Sequence, residues 1–264
     1  MKNYFYIIVL LVFAFCSCNN RSSDDNIPEV KAKIMSEDVV FNTADNIKIQ
    51  GTYYYSNFDL AKKQPLVILI HQFMSDRSQW KIEFIDSLVA RKFKVVTYDI
   101  RNHGESEKGA EKTEDILTSK GNAVLDLQAV FKWAKTRNGI DTSRIAVIGT
   151  SVGGSLALYS KYELGSKTAV AISVGLSTFD AFNGNMSARM SGNSPVPVKK
   201  IGNVLFICGD KDGNYTDDTK QIFTEFCDNP KELKYFNSDK HGKDLCIQYP
   251  EIKLVILEWL GKNL

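Results

Sequence analysis

The chain has 264 residues, which suits one α/β domain with a sizeable core once a short leader is set aside. Hydrophobic residues make up 44% and charged residues 24%, and 33 Lys+Arg against 31 Asp+Glu leave a net charge of +2. That balance is ordinary for a globular protein, and with no dense basic run it excludes the footprint of a nucleic-acid binder.

The first segment stands apart from the rest. Lys2 precedes an apolar run from Tyr4 to Phe15, too short for an ordinary spanning helix and typical of a signal peptide. It closes in Phe15-Cys16-Ser17-Cys18 and gives way to the polar stretch Asn19 to Asp25. A small residue directly before Cys18 resembles the lipobox of bacterial lipoproteins, and the resemblance implies that the Cys18 thiol is lipidated and becomes the mature N-terminus. On that reading residues 1–17 are a signal peptide, 18–32 a flexible tether and 33–264 the folded domain. The domain would then meet a membrane of the bacterial envelope through lipid alone. Asn19, where an aspartate would resemble an inner-membrane retention signal, directs the expectation to the outer membrane or cell surface. A plain secretory signal with incidental cysteines is the alternative.

The folded part reads as strands and helices in alternation. Val39-Val40-Phe41 and the alternating Ile47, Ile49, Gly51, Tyr53 and Tyr55 predict a hairpin turning at Asp45-Asn46. Leu66 to Ile70 is a continuous apolar run after Pro65, as in a strand buried on both faces. Ile82, Phe84, Ile85, Leu88 and Val89 form a helical stripe within Trp80 to Arg91. Strand Lys94 to Tyr98, a helix from about Asn122 to Thr136, strand Ile145 to Ile148 and helix Leu156 to Tyr162 follow. Strands Ala169 to Val174 and Val204 to Cys208 come next. The tail adds a helix near Thr219 to Phe226, a strand at Leu233 to Phe236 and a last helix from about Cys246 to Leu260. Such alternation argues for a mostly parallel sheet of about eight strands with helices on both faces.

Gly149-Thr150-Ser151-Val152-Gly153 lies where a predicted strand gives way to a predicted helix. That is the context of a nucleophile elbow, a sharp turn that lifts a serine hydroxyl above the sheet edge. From Val39 to Leu264 the chain resembles the α/β-hydrolase fold, most of all its small, nearly capless esterases and dienelactone-hydrolase-like members. The resemblance extends to Ile70-His71-Gln72-Phe73, similar to the family's His-Gly turn, and to Tyr98 through Ser106, similar to its D-x-R-G-x-G-x-S loop. Gln72 and Asn102 stand where the family has glycine. The resemblance implies that Ser151 is the nucleophile and that the amides of Phe73 and Val152 form the oxyanion hole. It places Asp99 and Arg101 in a bracing loop, outside the catalytic set.

The acid and base follow in the order Ser, Asp, His that this fold uses. Gly209-Asp210-Lys211-Asp212 matches the family's pattern at Asp212, with Asp210 as the alternative. His241 lies between the last strand and the final helix, where the resemblance places the general base; His71 fits the oxyanion turn and His103 the bracing loop. The implied reaction is cleavage of a carboxylic ester, small or polymer-borne, through an acyl-enzyme. Thioesterase, peptidase and non-catalytic binding versions of the same scaffold are the alternatives. Only about thirty residues, Gly175 to Asn203, separate strands six and seven, read as a short loop-rich flap at most. Phe179, Phe182, Met186 and Met190 there suit an acyl pocket or ordinary packing equally. No Cys/His spacing suggests a metal, and no cofactor is expected. Of the cysteines beyond Cys18, Cys208 reads as a buried strand residue, while Cys227 and Cys246 are left open as a pair. The oligomeric state is not legible.

Overall fold

The computed structural model describes residues 33–58, 62–109, 112–118, 122–184 and 199–264. The signal segment, Cys18, the tether up to residue 32, Met186 and Met190 lie outside them. The described strands are β1 (Ile34–Asn42), β2 (Lys48–Ser56), β3 (Gln64–Ile70), β4 (Lys94–Tyr98), β5 (Ile140–Thr150), β6 (Thr168–Ile172), β7 (Val204–Gly209) and β8 (Lys231–Phe236). They form one eight-stranded sheet in the order β1-β2-β4-β3-β5-β6-β7-β8. The first two joins, β1 to β2 and β2 to β4, are antiparallel, and every other join is parallel.

The hairpin forms as its sequence predicts. Asn46 takes φ of 64°, a left-handed conformation asparagine tolerates, and Thr43 closes the turn through its amide on the Ile47 carbonyl at 3.0 Å. In β3 the apolar run has a two-sided use. Leu66, Ile68 and Ile70 enter one core while Val67 and Leu69 enter the other. The first core lies against α2 (Ala123–Thr136), α3 (Val152–Tyr159), α4 (Leu176–Phe182) and α5 (Asn214–Glu225). The second lies against α1 (Ile82–Ala90), α6 (Lys243–Gln248) and α7 (Ile252–Asn263). Helices therefore cover both faces, and an unbroken apolar strand follows from that.

Helix α3 is buried along its whole length, so Leu156 is core on a helix that carries no polar face. Truncating a leucine in such a place costs about 2–5 kcal/mol. Among the described residues no helix is long and apolar enough to cross a membrane.

Three expectations need correction, and one open question is answered. The stretch after β6 is helical at Leu176–Phe182, where a loop-rich flap was expected, and of the two uses left open for Phe179 and Phe182 the structure shows packing into the core. Helix α5 begins at Asn214, five residues before its predicted start, because its first turn is polar and leaves no apolar stripe to read. The expected last helix is two: α6 ends before Tyr249, and α7 starts at Ile252, after a proline whose ring excludes the preceding residue from helix. The pairing left open for Cys227 and Cys246 is not made, for both are free thiols, as is Cys208. Cys227 belongs to the core on one face of the sheet and Cys246 packs against the core on the other, so the sheet stands between them.

Candidate active site

The parallel strands deliver their C-terminal loops to one edge, where ligands of open α/β sheets bind. Ser151 sits there between β5 and α3, with φ 52° and ψ −117°. For a residue with a Cβ this conformation costs about 1–3 kcal/mol and persists only when neighbours enforce it. They do. The Ser151 amide donates to the Ile172 carbonyl at the end of β6 at 2.8 Å. A Cβ on Gly149 would overlap the backbone of Gly153, and one on Gly153 would overlap the carbonyl oxygens of Ile70 and His71. Both glycines are thus required by close backbone approach. The turn leaves the Ser151 side chain half-buried at the mouth of a cavity. Val152 opens α3, and its amide has no hydrogen-bond partner among the described residues.

Asp212 follows β7 and His241 follows β8. His241 Nδ1 lies 3.1 Å from both carboxylate oxygens of Asp212. A carboxylate on Nδ1 fixes the tautomer with the proton there, leaving Nε2 as an acceptor, and Nε2 has no partner among the described residues. Asp212 is buried, and its loop is closed by its own amide donating to Thr216 Oγ1 at 3.0 Å. Asp210 is exposed and accepts the Ser238 amide at 3.0 Å, a brace between the β7 and β8 loops. Of the two aspartates, the one in contact with His241 is Asp212. Beneath it Cys208 Sγ lies 3.8 Å from Asp212 Oδ2; burial pushes that thiol up to about 11, so it stays a neutral S–H.

The turn after β3 is held from both sides. The Gln72 amide donates to Gln79 Oε1 at 3.1 Å and the Met74 amide to His103 Nε2 at 3.1 Å. Between them the Phe73 amide has no partner among the described residues. His71 is fully buried, with Nδ1 2.7 Å from the Gln72 carbonyl and Nε2 accepting the Ile100 amide at 2.9 Å. Burial pushes its pKa down to about 4, so the ring is neutral, as an acceptor must be. Asp99 accepts the amides of Arg77 at 2.6 Å and Glu105 at 2.9 Å, and pairs with the Arg77 guanidinium. Arg101, fully buried, pairs with Asp126 at 2.8 Å and Asp45 at 2.7 Å. Both residues are braces, and neither lines the cavity at Ser151.

Comparison with known proteins agrees with this fold. Residues 65–160 match the model of the alpha/beta hydrolase fold. Over most of its length the chain superposes on an esterase of Pyrococcus furiosus, with a TM-score of 0.64, 22% identity and coverage of 87% of this chain and 93% of that one. The acetyl xylan esterase of Paenibacillus sp. R4 gives a TM-score of 0.69 at 19% identity, covering 88% and 84%. This chain has the α/β-hydrolase fold. In sequence it is 36% identical over 98 residues to an uncharacterized 31.7 kDa protein of Escherichia coli, 35% of this chain and 30% of that protein. It is 25% identical over 134 residues to the quorum-quenching protein AidA of Acinetobacter baumannii, 51% of this chain and 40% of that one. The matches therefore span less than half the length of these curated relatives.

Within the hydrolase fold, Ser151 and His241 line one cavity of about 570 Å³, together with Gln72, Phe73, Leu117, Thr118, Thr178 and Tyr215. That size suits a small ligand. A second cavity of about 540 Å³, between Trp80, Phe84, Ile247 and Ile256, includes neither Ser151 nor His241. Three contributors to the site carry no signal in the sequence. The Tyr215 ring lies 4.0 Å from the His241 ring, centroid to centroid. Ser173 Oγ accepts the Gly242 amide at 3.0 Å. Gln79 joins Gln72 to Thr150 Oγ1, the latter at 2.8 Å. Gln72 had one visible mark, its departure from the family's glycine. Its Oε1 accepts the Lys243 amide at 2.8 Å, and it fits because Gly242, at φ 53°, has no Cβ to meet it.

Proposed function

We propose that this chain is a serine hydrolase that cleaves carboxylic esters, with Ser151 as nucleophile, His241 as general base and Asp212 as its orienting acid. The observation that carries the reading is the Asp212–His241 contact at 3.1 Å beside the strained Ser151, with both His241 and Ser151 open to one cavity. Ser151 Oγ attacks the ester carbonyl carbon while His241 Nε2 takes the hydroxyl proton. The tetrahedral oxyanion is received by the Phe73 and Val152 amides, neither of which has a hydrogen-bond partner among the described residues. Donors of that kind contribute about 3 kcal/mol each. Collapse expels the alcohol, protonated by His241, and leaves an acyl group on Ser151. Water, deprotonated by His241, then releases the carboxylic acid and restores the serine. Asp212 stabilises the imidazolium formed in each half-reaction.

The esterase names of two structural neighbours support ester over amide chemistry. Hydrolysis of p-nitrophenyl acetate by the purified domain, compared with Ser151→Ala, tests the reading. Turnover by the native chain and none by the variant supports it; equal rates overturn it.

From residues 1–18 alone we also propose that Cys18 carries lipid and holds the domain at a membrane of a bacterial envelope. Two or three acyl chains, at roughly 0.8 kcal/mol per buried CH₂, suffice to anchor it. Fractionation of cells expressing the native chain and Cys18→Ser tests this. An unchanged, membrane-free distribution of both would remove the anchor.

A further inference from the structure

The proposed chemistry needs three loops held at fixed separations: the Phe73 turn, the Ser151–Val152 elbow and the His241 loop. The β3–β5 ladder ends at the pair Ile70–Gly149. Beyond it, no backbone–backbone bond among the described residues joins the Phe73 turn to the elbow or to the His241 loop. Two carboxamides cross the gap. Gln79 Oε1 accepts the Gln72 amide at 3.1 Å, and Gln79 Nε2 donates to Thr150 Oγ1 at 2.8 Å. Gln72 Oε1 in turn accepts the Lys243 amide, two residues past His241, at 2.8 Å. The orientation of Gln79 is set by chemistry, because a backbone N–H can meet only its oxygen, which turns its NH₂ to the threonine.

The ends of this path lie next to the groups that matter. Gln72 precedes Phe73, and Thr150, fully buried, precedes Ser151 and Val152. Gln79 itself sits at the end of a short 3₁₀ turn, Arg77–Gln79, capped by Asp76 accepting the Ser78 amide at 2.8 Å. Arg77 ties that turn to Asp99 through its amide at 2.6 Å and its guanidinium. The carboxamide is therefore mounted on a rigid support.

We infer that Gln79 is a positioning residue that sets the separation of the two oxyanion donors, the Phe73 and Val152 amides. The inference rests on the hydrolase reading above. Gln79 acts through Gln72 and Thr150 rather than on the substrate. Its removal displaces donors that bind the transition state more than the ester, so the loss falls on kcat and not on KM.

The test is steady-state hydrolysis of p-nitrophenyl acetate by the native chain, Gln79→Met, Thr150→Val, their double variant and Thr150→Ser, with folding checked by circular dichroism. Gln79→Met keeps the length and removes both hydrogen bonds. It should lower kcat about 10- to 100-fold with KM within about twofold, the scale of a misplaced or lost donor. Thr150→Val should lose kcat in the same way, the double variant should be no worse than Gln79→Met, and Thr150→Ser should retain the native kcat. Native kcat in folded Gln79→Met and Thr150→Val, or a loss confined to KM, overturns the inference. If Gln79→Met does not fold, the Thr150→Val and Thr150→Ser pair decides alone: equal kcat in the two overturns it. A native chain that neither hydrolyses the ester nor reacts with a fluorophosphonate overturns the hydrolase reading and this inference together. A native chain active and a Ser151→Ala chain inactive confines any failure to Gln79.

Discussion

Two of the three histidines differ from the third in how their ring nitrogens are used. His71 and His103 sit in the loops after β3 and β4, and each has both nitrogens committed to backbone groups. His241, after β8, has Nδ1 on Asp212, while Nε2 has no partner among the described residues and the residue lines the Ser151 cavity. The first arrangement pins two loops together; the second leaves a basic nitrogen free to accept a proton. The same contrast separates the aspartates. Asp99 accepts two amides and a guanidinium, all of them structural donors, whereas Asp212 faces an imidazole. Residue type at a strand end is thus insufficient to assign a role; the partners decide it.

The comparison predicts opposite outcomes for substitutions of like kind. The largest effect belongs to the proposed triad: Ser151→Ala and His241→Ala should each lower ester hydrolysis by about 10⁴-fold or more while circular dichroism stays native. Asp212→Asn falls in the same range of about 10⁴-fold, because the imidazole loses the acceptor that fixes its tautomer. Asp210→Asn, which touches Ser238 and not His241, stays within a few-fold of native in the same assay. A crippled Asp210→Asn beside an active Asp212→Asn would reverse the assignment of the acid.

On the bracing side the effect is on stability and on its pH dependence. His71 has a pKa of about 4 in the fold, below the ordinary 6.5, because burial disfavours its cation. The folded state therefore binds fewer protons than the unfolded chain between those values. The stability this confers is complete above about pH 6.5 and is lost progressively as pH falls toward 4, a change on the order of 3 kcal/mol. Urea midpoints measured from pH 7 to 4 should fall more steeply for the native chain than for His71→Gln, which cannot titrate. Parallel slopes would show that His71 is not the buried neutral group described above.

The smallest effect concerns Tyr215, whose ring lies 4.0 Å from that of His241. Tyr215→Phe keeps the ring and should retain native kcat/KM, while Tyr215→Ala should lose about 2- to 10-fold, the worth of one aromatic contact. Equal losses in both variants would assign the role to the hydroxyl instead.

The fold was legible wherever burial left a pattern. Leu66 to Ile70 reads as strand because both of its faces are covered, and α1 shows a stripe because only one of its faces is. Legibility failed where burial is uneven. Helix α4 is short and mixes Ser177 and Thr178, which face the cavity, with buried Phe179, so it has no clean period. The break between α6 and α7 did carry a signal in Pro250, overridden by the apolar residues on either side. In the site, the Gly149–Gly153 motif pointed to Ser151, and the resemblance to the hydrolase fold pointed to the loop that holds His241. The family's pattern favoured Asp212 over Asp210, and only the folded β7 loop shows the physical difference, since the two residues face different partners there. Gln79 was out of reach: its bonds to Gln72 and Thr150 join the β3–α1 connection to the elbow, and no periodicity or spacing encodes such a bridge.

The measurement closest to the central claim is mass spectrometry of the folded chain after brief exposure to a fluorophosphonate, which reacts only with an activated serine. The account predicts a single phosphonyl adduct on the peptide containing Ser151, lost or strongly slowed in His241→Ala and unaffected by Asp210→Asn. An unlabelled Ser151 in the folded native chain, or labelling of Ser151 at the same rate in His241→Ala, would contradict it.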